Sequence, residues 1–134
     1  MSIEIIAEAG VNHNGDLQKT KKLIYEASFA GADYIKFQSF ITEDIISKKA
    51  PKAEYQKIDS ADKESQYDMV KKLELSKSMH FSILKHCQKN NINFLSTAFD
   101  IKSFNFLKNQ MKIKKIKIPS GEITNLPFLR YLGK

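Results

Sequence analysis

The chain has 134 residues, with 22 basic against 15 acidic side chains, a net charge of +7, 42% hydrophobic and 28% charged residues. This is enough chain for one domain with a sizeable core, too balanced for a disordered segment, and without any apolar run near the roughly 18 residues that a membrane-spanning helix needs. The lysines are scattered along helical surfaces and dense only from Lys112 to Lys117, with no aromatic–basic RNA motif or zinc finger, so no nucleic-acid partner is expected and the charge suits anionic substrates only in a general way.

In chain order, residues 3–8 read as a short buried strand that starts without a basic leader or cleavage site, so a cytoplasmic location is expected. Asn12-His13-Asn14-Gly15 is turn chemistry, and Asp16 is an N-cap candidate for a helix over 17–30 that stops at Gly31. Residues 33–38 predict a second strand. An excursion over 41–77 then breaks the rhythm, polar and lysine-rich, with Pro51 inside and a capping pair Ser65 and Asp68 before a short helix. An excursion this long after a strand is often a binding loop.

Ser78 is the expected cap of the next helix, which carries Phe81, Leu84 and the single cysteine, Cys87. One cysteine forms no disulfide within the chain, and its place in an apolar pattern predicts a buried structural thiol. His80 and His86 are expected on the outer side of this helix and are not assigned as metal ligands. Residues 92–97 predict strand three, 103–110 a helix, 113–118 strand four, and Pro127 opens a last helix. The alternation of strands and helices predicts an α/β fold with a parallel sheet and right-handed crossovers.

In such folds ligands bind at the C-terminal ends of the strands. Each predicted strand ends there in polar residues: Glu8; Lys36 and Gln38; Ser96 and Thr97; Lys117, Ser120 and Glu122. Any single strand end can be polar because it reaches solvent. Lysine between apolar neighbours is less usual, and Lys36 lies between Ile35 and Phe37, Lys117 between Ile116 and Ile118. Alternation sets each opposite its neighbours, and a buried ammonium is costly unless it meets an anion. The set fits a small phosphorylated anion, with Glu8 and Glu122 left for proton transfer or for holding sugar hydroxyls.

Four strings make the pattern specific: Ala7-Glu8-Ala9-Gly10-Val11-Asn12-His13-Asn14-Gly15, Ile35-Lys36-Phe37-Gln38, Phe94-Leu95-Ser96-Thr97-Ala98-Phe99-Asp100 and Ile116-Lys117-Ile118-Pro119-Ser120-Gly121-Glu122-Ile123-Thr124-Asn125. In this order they resemble the strand-end motifs of the N-acetylneuraminate and legionaminate synthases, from about residue 3 to the end. Ala98 stands where the family commonly has proline.

The resemblance implies the N-terminal half of a (β/α)8 TIM barrel with about four parallel strands. It also implies condensation of phosphoenolpyruvate with N-acetylmannosamine or a related acetamido sugar, releasing phosphate, with manganese or magnesium polarising the aldehyde. By motif position Lys36, Ser96, Lys117 and Ser120 would hold phosphoenolpyruvate, Glu8 would manage a proton at the new hydroxyl, and Glu122 would hold the sugar. Gln38, Thr97 and Asn125 rank lower, and His13 is either turn-stabilising or catalytic.

The family's metal-binding histidines lie on later strands, followed by an antifreeze-like domain, so no metal ligand is assigned in this chain. Self-association, or a complementary half-barrel, is the expected partner, with little activity from the chain alone. A pseudaminate-type or other 3-deoxy-acid synthase, and a non-catalytic remnant acting as an interaction module, are the alternative readings.

Overall fold

The computed structural model describes residues 3–51 and 65–134. Three parallel strands, β1 (Ile6–Gly10), β2 (Tyr34–Ser39) and β3 (Asn93–Ala98), form one sheet in the order β1-β2-β3. The long helices of the crossovers are α1 (Leu17–Phe29) and α4 (Lys77–Lys89). They pack on each other, α1 against β2 and α4 against β3. Shorter elements are α2 (Thr42–Ile45), α3 (Gln66–Lys71), α5 (Ile101–Asn105) running into a π-helical turn (Phe106–Gln110), a 3₁₀ turn (Ser120–Glu122) and α6 (Leu126–Leu132). Among the described residues no helix is long and apolar enough to cross a membrane.

The local chemistry explains most of these boundaries. Asp16 caps α1 by accepting from the backbone N–H groups of Gln18 and Lys19, and the helix ends before Gly31, whose φ of +81° no β-carbon has to tolerate. Ser65 accepts from Asp68 N at the start of α3, as the capping pair predicts. The cap of α4 is Ser76 rather than Ser78: Ser76 accepts from Met79 N at 3.2 Å. The backbone turns helical two residues earlier than expected, so Ser78 lies within the first turn.

The core lies between the sheet and the α1–α4 layer, where Ile24, Ile35, Phe37, Ile83, Cys87, Phe94 and Leu107 are buried. Side chains of this size contribute about 1.5–3 kcal/mol each when withdrawn from water. Cys87 is free and buried, and that burial pushes its thiol up to about 12.

Two expected elements differ. The segment 113–118 is not a regular strand: it meets the sheet through one isolated parallel bridge, Thr97 with Lys117, closed by Lys117 N donating to the Ser96 carbonyl at 3.0 Å. Its lysine-rich residues are mostly exposed, Lys112 turns the chain at φ +56°, and a single bridge does not make a ladder. The helix over 103–110 starts earlier, at Ile101, where Asp100 caps it by accepting from Ser103 N, and widens to π geometry from Phe106. The excursion after β2 contributes α2 and α3, and its residues 52–64 lie outside the described residues.

Candidate functional site

The register of the sheet decides which strand-end residues meet. Lys36 pairs with Glu8 on one side and Leu95 on the other, and Gln38 pairs with Thr97. Partners in a ladder project to the same face, so Glu8, Lys36, Gln38 and Thr97 share one face at the C-terminal ends of the strands. Alternation along β2 is clean: Ile35, Phe37 and Ser39 are buried toward the helices, while Tyr34, Lys36 and Gln38 are partly exposed opposite them.

On that second face Lys36 Nζ makes an ion pair with the Glu8 carboxylate and donates to Thr97 Oγ1 at 3.3 Å. The Lys36 side chain is 14% exposed and that of Glu8 is 51% exposed, so the ammonium is largely withdrawn from water while its counter-ion stays at the surface. Close by, Gly10 takes a φ of +53° at a bulge in β1, and a β-carbon there would stand 3.2 Å from Glu8 Oε1 and 3.6 Å from Gln38 Nε2. Glycine thus leaves room for both polar side chains. Lys117 joins the face through its bridge to Thr97 and is exposed, as is Ser120 in the following turn.

Ser96 does not join them. It pairs with Phe37 and therefore lies on the helix-facing side, fully buried. There its Oγ is 2.7 Å from Ser39 Oγ, with the Phe37 carbonyl oxygen farther off at 3.3 Å. The expectation that Ser96 holds an anion alongside Lys36 is therefore corrected. Thr97, one residue on, is the hydroxyl on the Lys36 face.

His13 is also buried. Its Nδ1 accepts from Gly15 N at 2.9 Å, which makes it a turn-stabilising residue, while its Nε2 has no hydrogen-bond partner. Its ring packs near Phe37. Desolvation, with a smaller push from His80, holds it below the ordinary histidine range.

His80 overturns its expected surface position: it is 3% exposed. Desolvation holds it below the ordinary histidine range, outweighing the opposing effect of the hydrogen bond to Ser76. His86 is only partly buried and takes no part in the site.

Glu122 and Asn125 fall elsewhere, in a cavity of about 730 Å³ between α5, α6 and α2, lined also by Asp44, Lys102 and Tyr131. Asn125 donates to Glu122 Oε2 at 2.6 Å and caps α6 by accepting from Phe128 N at 3.2 Å. Asp44 and Lys102 form an ion pair across the mouth at 2.8 Å, and that bond raises the Lys102 ammonium above its ordinary range.

Sequence reading missed Asp44, because the excursion gives no periodic signal, and Lys102, which reads as one more surface lysine in the first turn of α5. It also missed Ser39, which strand alternation places with Phe37. The base of the excursion is tied down by Thr42, whose N–H and hydroxyl both donate to Glu74 Oε2, and by Ile41 N donating to Asp100. Among the described residues no three His, Cys, Asp or Glu side chains come together as a metal site.

Known proteins resemble this chain in sequence and fold. A profile described as the NeuB family matches residues 23–134. The chain is 55% identical over 130 residues to the N,N'-diacetyllegionaminic acid synthase of Campylobacter jejuni, spanning 97% of this chain and 39% of that protein. To the enzyme of the same name from Legionella pneumophila it is 48% identical over 131 residues, with 98% and 36% spanned.

Among solved structures, the sialic acid synthetase of Leptospira borgpetersenii superposes with a TM-score of 0.78 at 33% identity, covering 96% of this chain and 40% of that one. The chain spans little more than a third of the curated relatives it matches. Its three parallel strands with helices are the partial TIM barrel that the sialic acid synthase neighbour leads one to expect. On sequence and fold together, the chain belongs to the NeuB family.

Proposed function

We propose that this chain supplies the phosphoenolpyruvate side of a nonulosonic acid synthase. The reaction is condensation of phosphoenolpyruvate with N-acetylmannosamine or a related acetamido sugar, releasing phosphate. The observation that carries the reading is the cluster on one sheet face: Lys36 between Glu8 and Thr97, with Lys117 bridged to Thr97. Two ammonium groups and a hydroxyl at the strand ends suit a carboxylate and a phosphate, and charge-assisted hydrogen bonds of this kind contribute about 1.5–3 kcal/mol each.

In this reading Glu8 is the counter-ion of Lys36 until the ligand arrives. The ligand anion takes over the ammonium, and Glu8 is released to accept or return the proton of the hydroxyl formed at carbon two. Ser120 adds a donor from the following turn. Glu122, with Asn125, Asp44 and Lys102, lines a separate polar cavity of a size suited to an acetamido sugar.

The divalent metal implied by the family, manganese or magnesium, has no matching donor set among the described residues, so this reading gives the chain no part in polarising the aldehyde. A second chain, as a copy or as the complementary part of a barrel, is the proposed neighbour of the exposed Ile5 and Ile6 at the start of β1, a strand that pairs only with β2 among the described strands. The compartment proposed is the cytoplasm, where phosphoenolpyruvate is made.

Calorimetric titration of phosphoenolpyruvate into the protein tests the reading, with Lys117→Ala as control. Saturable binding that the variant loses is the expected result. Absence of binding to a folded sample rejects it. Sedimentation as a monomer at high concentration rejects self-association.

A further inference from the structure

The helix-facing side of the sheet holds a chain of buried polar groups that the reaction does not use directly. His80 Nδ1 lies 2.9 Å from the Ser76 carbonyl oxygen, which can only accept, so Nδ1 carries the proton. Desolvation favours the neutral ring, leaving Nε2 bare. It therefore accepts from the Ser39 hydroxyl at 2.8 Å. With its proton committed to His80, Ser39 Oγ accepts in turn from Ser96 Oγ at 2.7 Å. Ser39, His80 and Ser96 are at most 3% exposed, so the relay is made within the protein, with the Phe37 carbonyl at 3.3 Å as the longer second contact of Ser96 Oγ.

The relay ends where the anion cluster begins. Ser39 follows Gln38 at the end of β2, Ser96 precedes Thr97 on β3, and the Ser96 carbonyl receives the Lys117 N–H that makes the only contact of that segment with the sheet as a bridge among the described residues. The Phe99 N–H closes on the Ser39 carbonyl at 3.1 Å. His80 thus pins both strand ends from behind, through two hydroxyls, and the side chains whose relative positions it fixes are Lys36, Thr97 and Lys117 on the opposite face.

We infer that His80 is a positioning residue for the anion site, acting through Ser39 and Ser96 to hold the ends of β2 and β3, and the Lys117 segment bridged to β3, in the geometry that phosphoenolpyruvate requires. The inference rests on the functional reading above and adds a residue that touches no ligand. His80 also packs edge-on against Phe106, with ring centroids 5.2 Å apart, so its loss has a packing component that the test must separate.

The test is titration of phosphoenolpyruvate into the unmodified protein and five variants. His80→Leu and Ser39→Ala each weaken binding about tenfold, and the double variant is no weaker than either alone, because one relay is broken in all three. His80→Gln, which restores an acceptor near the Nε2 position, stays within about threefold of the unmodified protein. Ile83→Ala, a core truncation on the same helix, lowers stability and leaves affinity unchanged.

Equal weakening by Ile83→Ala, additive losses in the double variant, or no rescue by glutamine overturns the positioning role while the anion site stands. Absence of binding by the unmodified protein overturns the functional reading and this inference with it. Should His80→Leu fail to fold, Ser39→Ala and His80→Gln decide the matter between them.

Discussion

The two faces of the sheet handle polar side chains in opposite ways. Toward the helices, Ser39 and Ser96 are interleaved with Ile35, Phe37 and Phe94, and their hydroxyls are bonded to each other and to His80. On the other face Lys36 and Glu8 meet as charges, one mostly buried and one half exposed. Polar groups inside a core are tolerated when their bonds are complete, whereas a withdrawn charge beside an exposed partner can exchange that partner for a ligand. In the proposed function the first arrangement serves stability and geometry and the second recognition. Truncating the apolar side chains of the first face should therefore move stability, and changing the charges of the second should move affinity.

The largest effect should come from the helix-facing side. Phe37 is fully buried, with the Phe94 ring stacked at 5.9 Å. Phe37→Ala should cost about 3–5 kcal/mol of unfolding free energy, the range for large aromatic truncations in cores. Urea unfolding followed by circular dichroism measures it. A loss below about 1 kcal/mol, within the range of surface substitutions, would show that this face is not the core.

On the opposite face, Lys36→Ala should reverse the pattern. Losing one charge-assisted contact to the ligand should weaken phosphoenolpyruvate binding about 10- to 100-fold. Stability should change little, because Glu8 is half exposed and regains water. Unchanged affinity in the calorimeter would remove Lys36 from the site.

Much of this division was legible before the fold was known. The alternation Tyr34-Ile35-Lys36-Phe37-Gln38 assigns Lys36 to the face opposite the core, and Asp16 and Gly31 bracket α1 by capping chemistry alone. The face of Ser96 was not legible. A motif gives residue identity, while the face depends on inter-strand register, which pairs Ser96 with Phe37. His80 escaped for a related reason. The apolar spacing of Phe81, Leu84 and Cys87 suggests one helical face, but the buried one runs through His80, Ile83 and Cys87, leaving Phe81 46% exposed. A histidine occupies a core position because both its ring nitrogens find partners there. The fourth strand was overestimated because apolar–lysine alternation signals a strand without saying whether a ladder forms on both sides.

A pH titration sharpens the contrast within the core itself. His13 and His80 both have folded-state values held below the ordinary histidine range, chiefly by desolvation. The unfolded chain therefore binds their protons first. Their contribution to stability is complete above about pH 6.5 and is lost as pH falls from there toward the folded-state values, at most about 1.4 kcal/mol per pH unit for each histidine. Thermal unfolding between pH 7 and pH 5 should show this fall, and His80→Gln should make it shallower. A slope unchanged by the substitution would mean that His80 does not titrate in this window.

The smallest effect separates capping from positioning on one residue. The Ser76 hydroxyl accepts from Met79 N, while its carbonyl accepts from His80 Nδ1. Ser76→Ala removes the first bond, together with an exposed 2.9 Å contact to the Ser78 hydroxyl, and should cost about 1 kcal/mol, the usual loss for a missing N-cap. The carbonyl survives, so the relay to Ser39 and Ser96 stays intact and phosphoenolpyruvate affinity should not change. Ser78→Ala, inside the first turn, should be nearly neutral in stability. If Ser78→Ala proves the costlier of the two, the helix starts where its sequence first suggests. If instead Ser76→Ala weakens the anion as much as Ser39→Ala, the start of α4 acts on the site as a unit, and the affinity loss reports helix fraying rather than the buried hydrogen-bond chain.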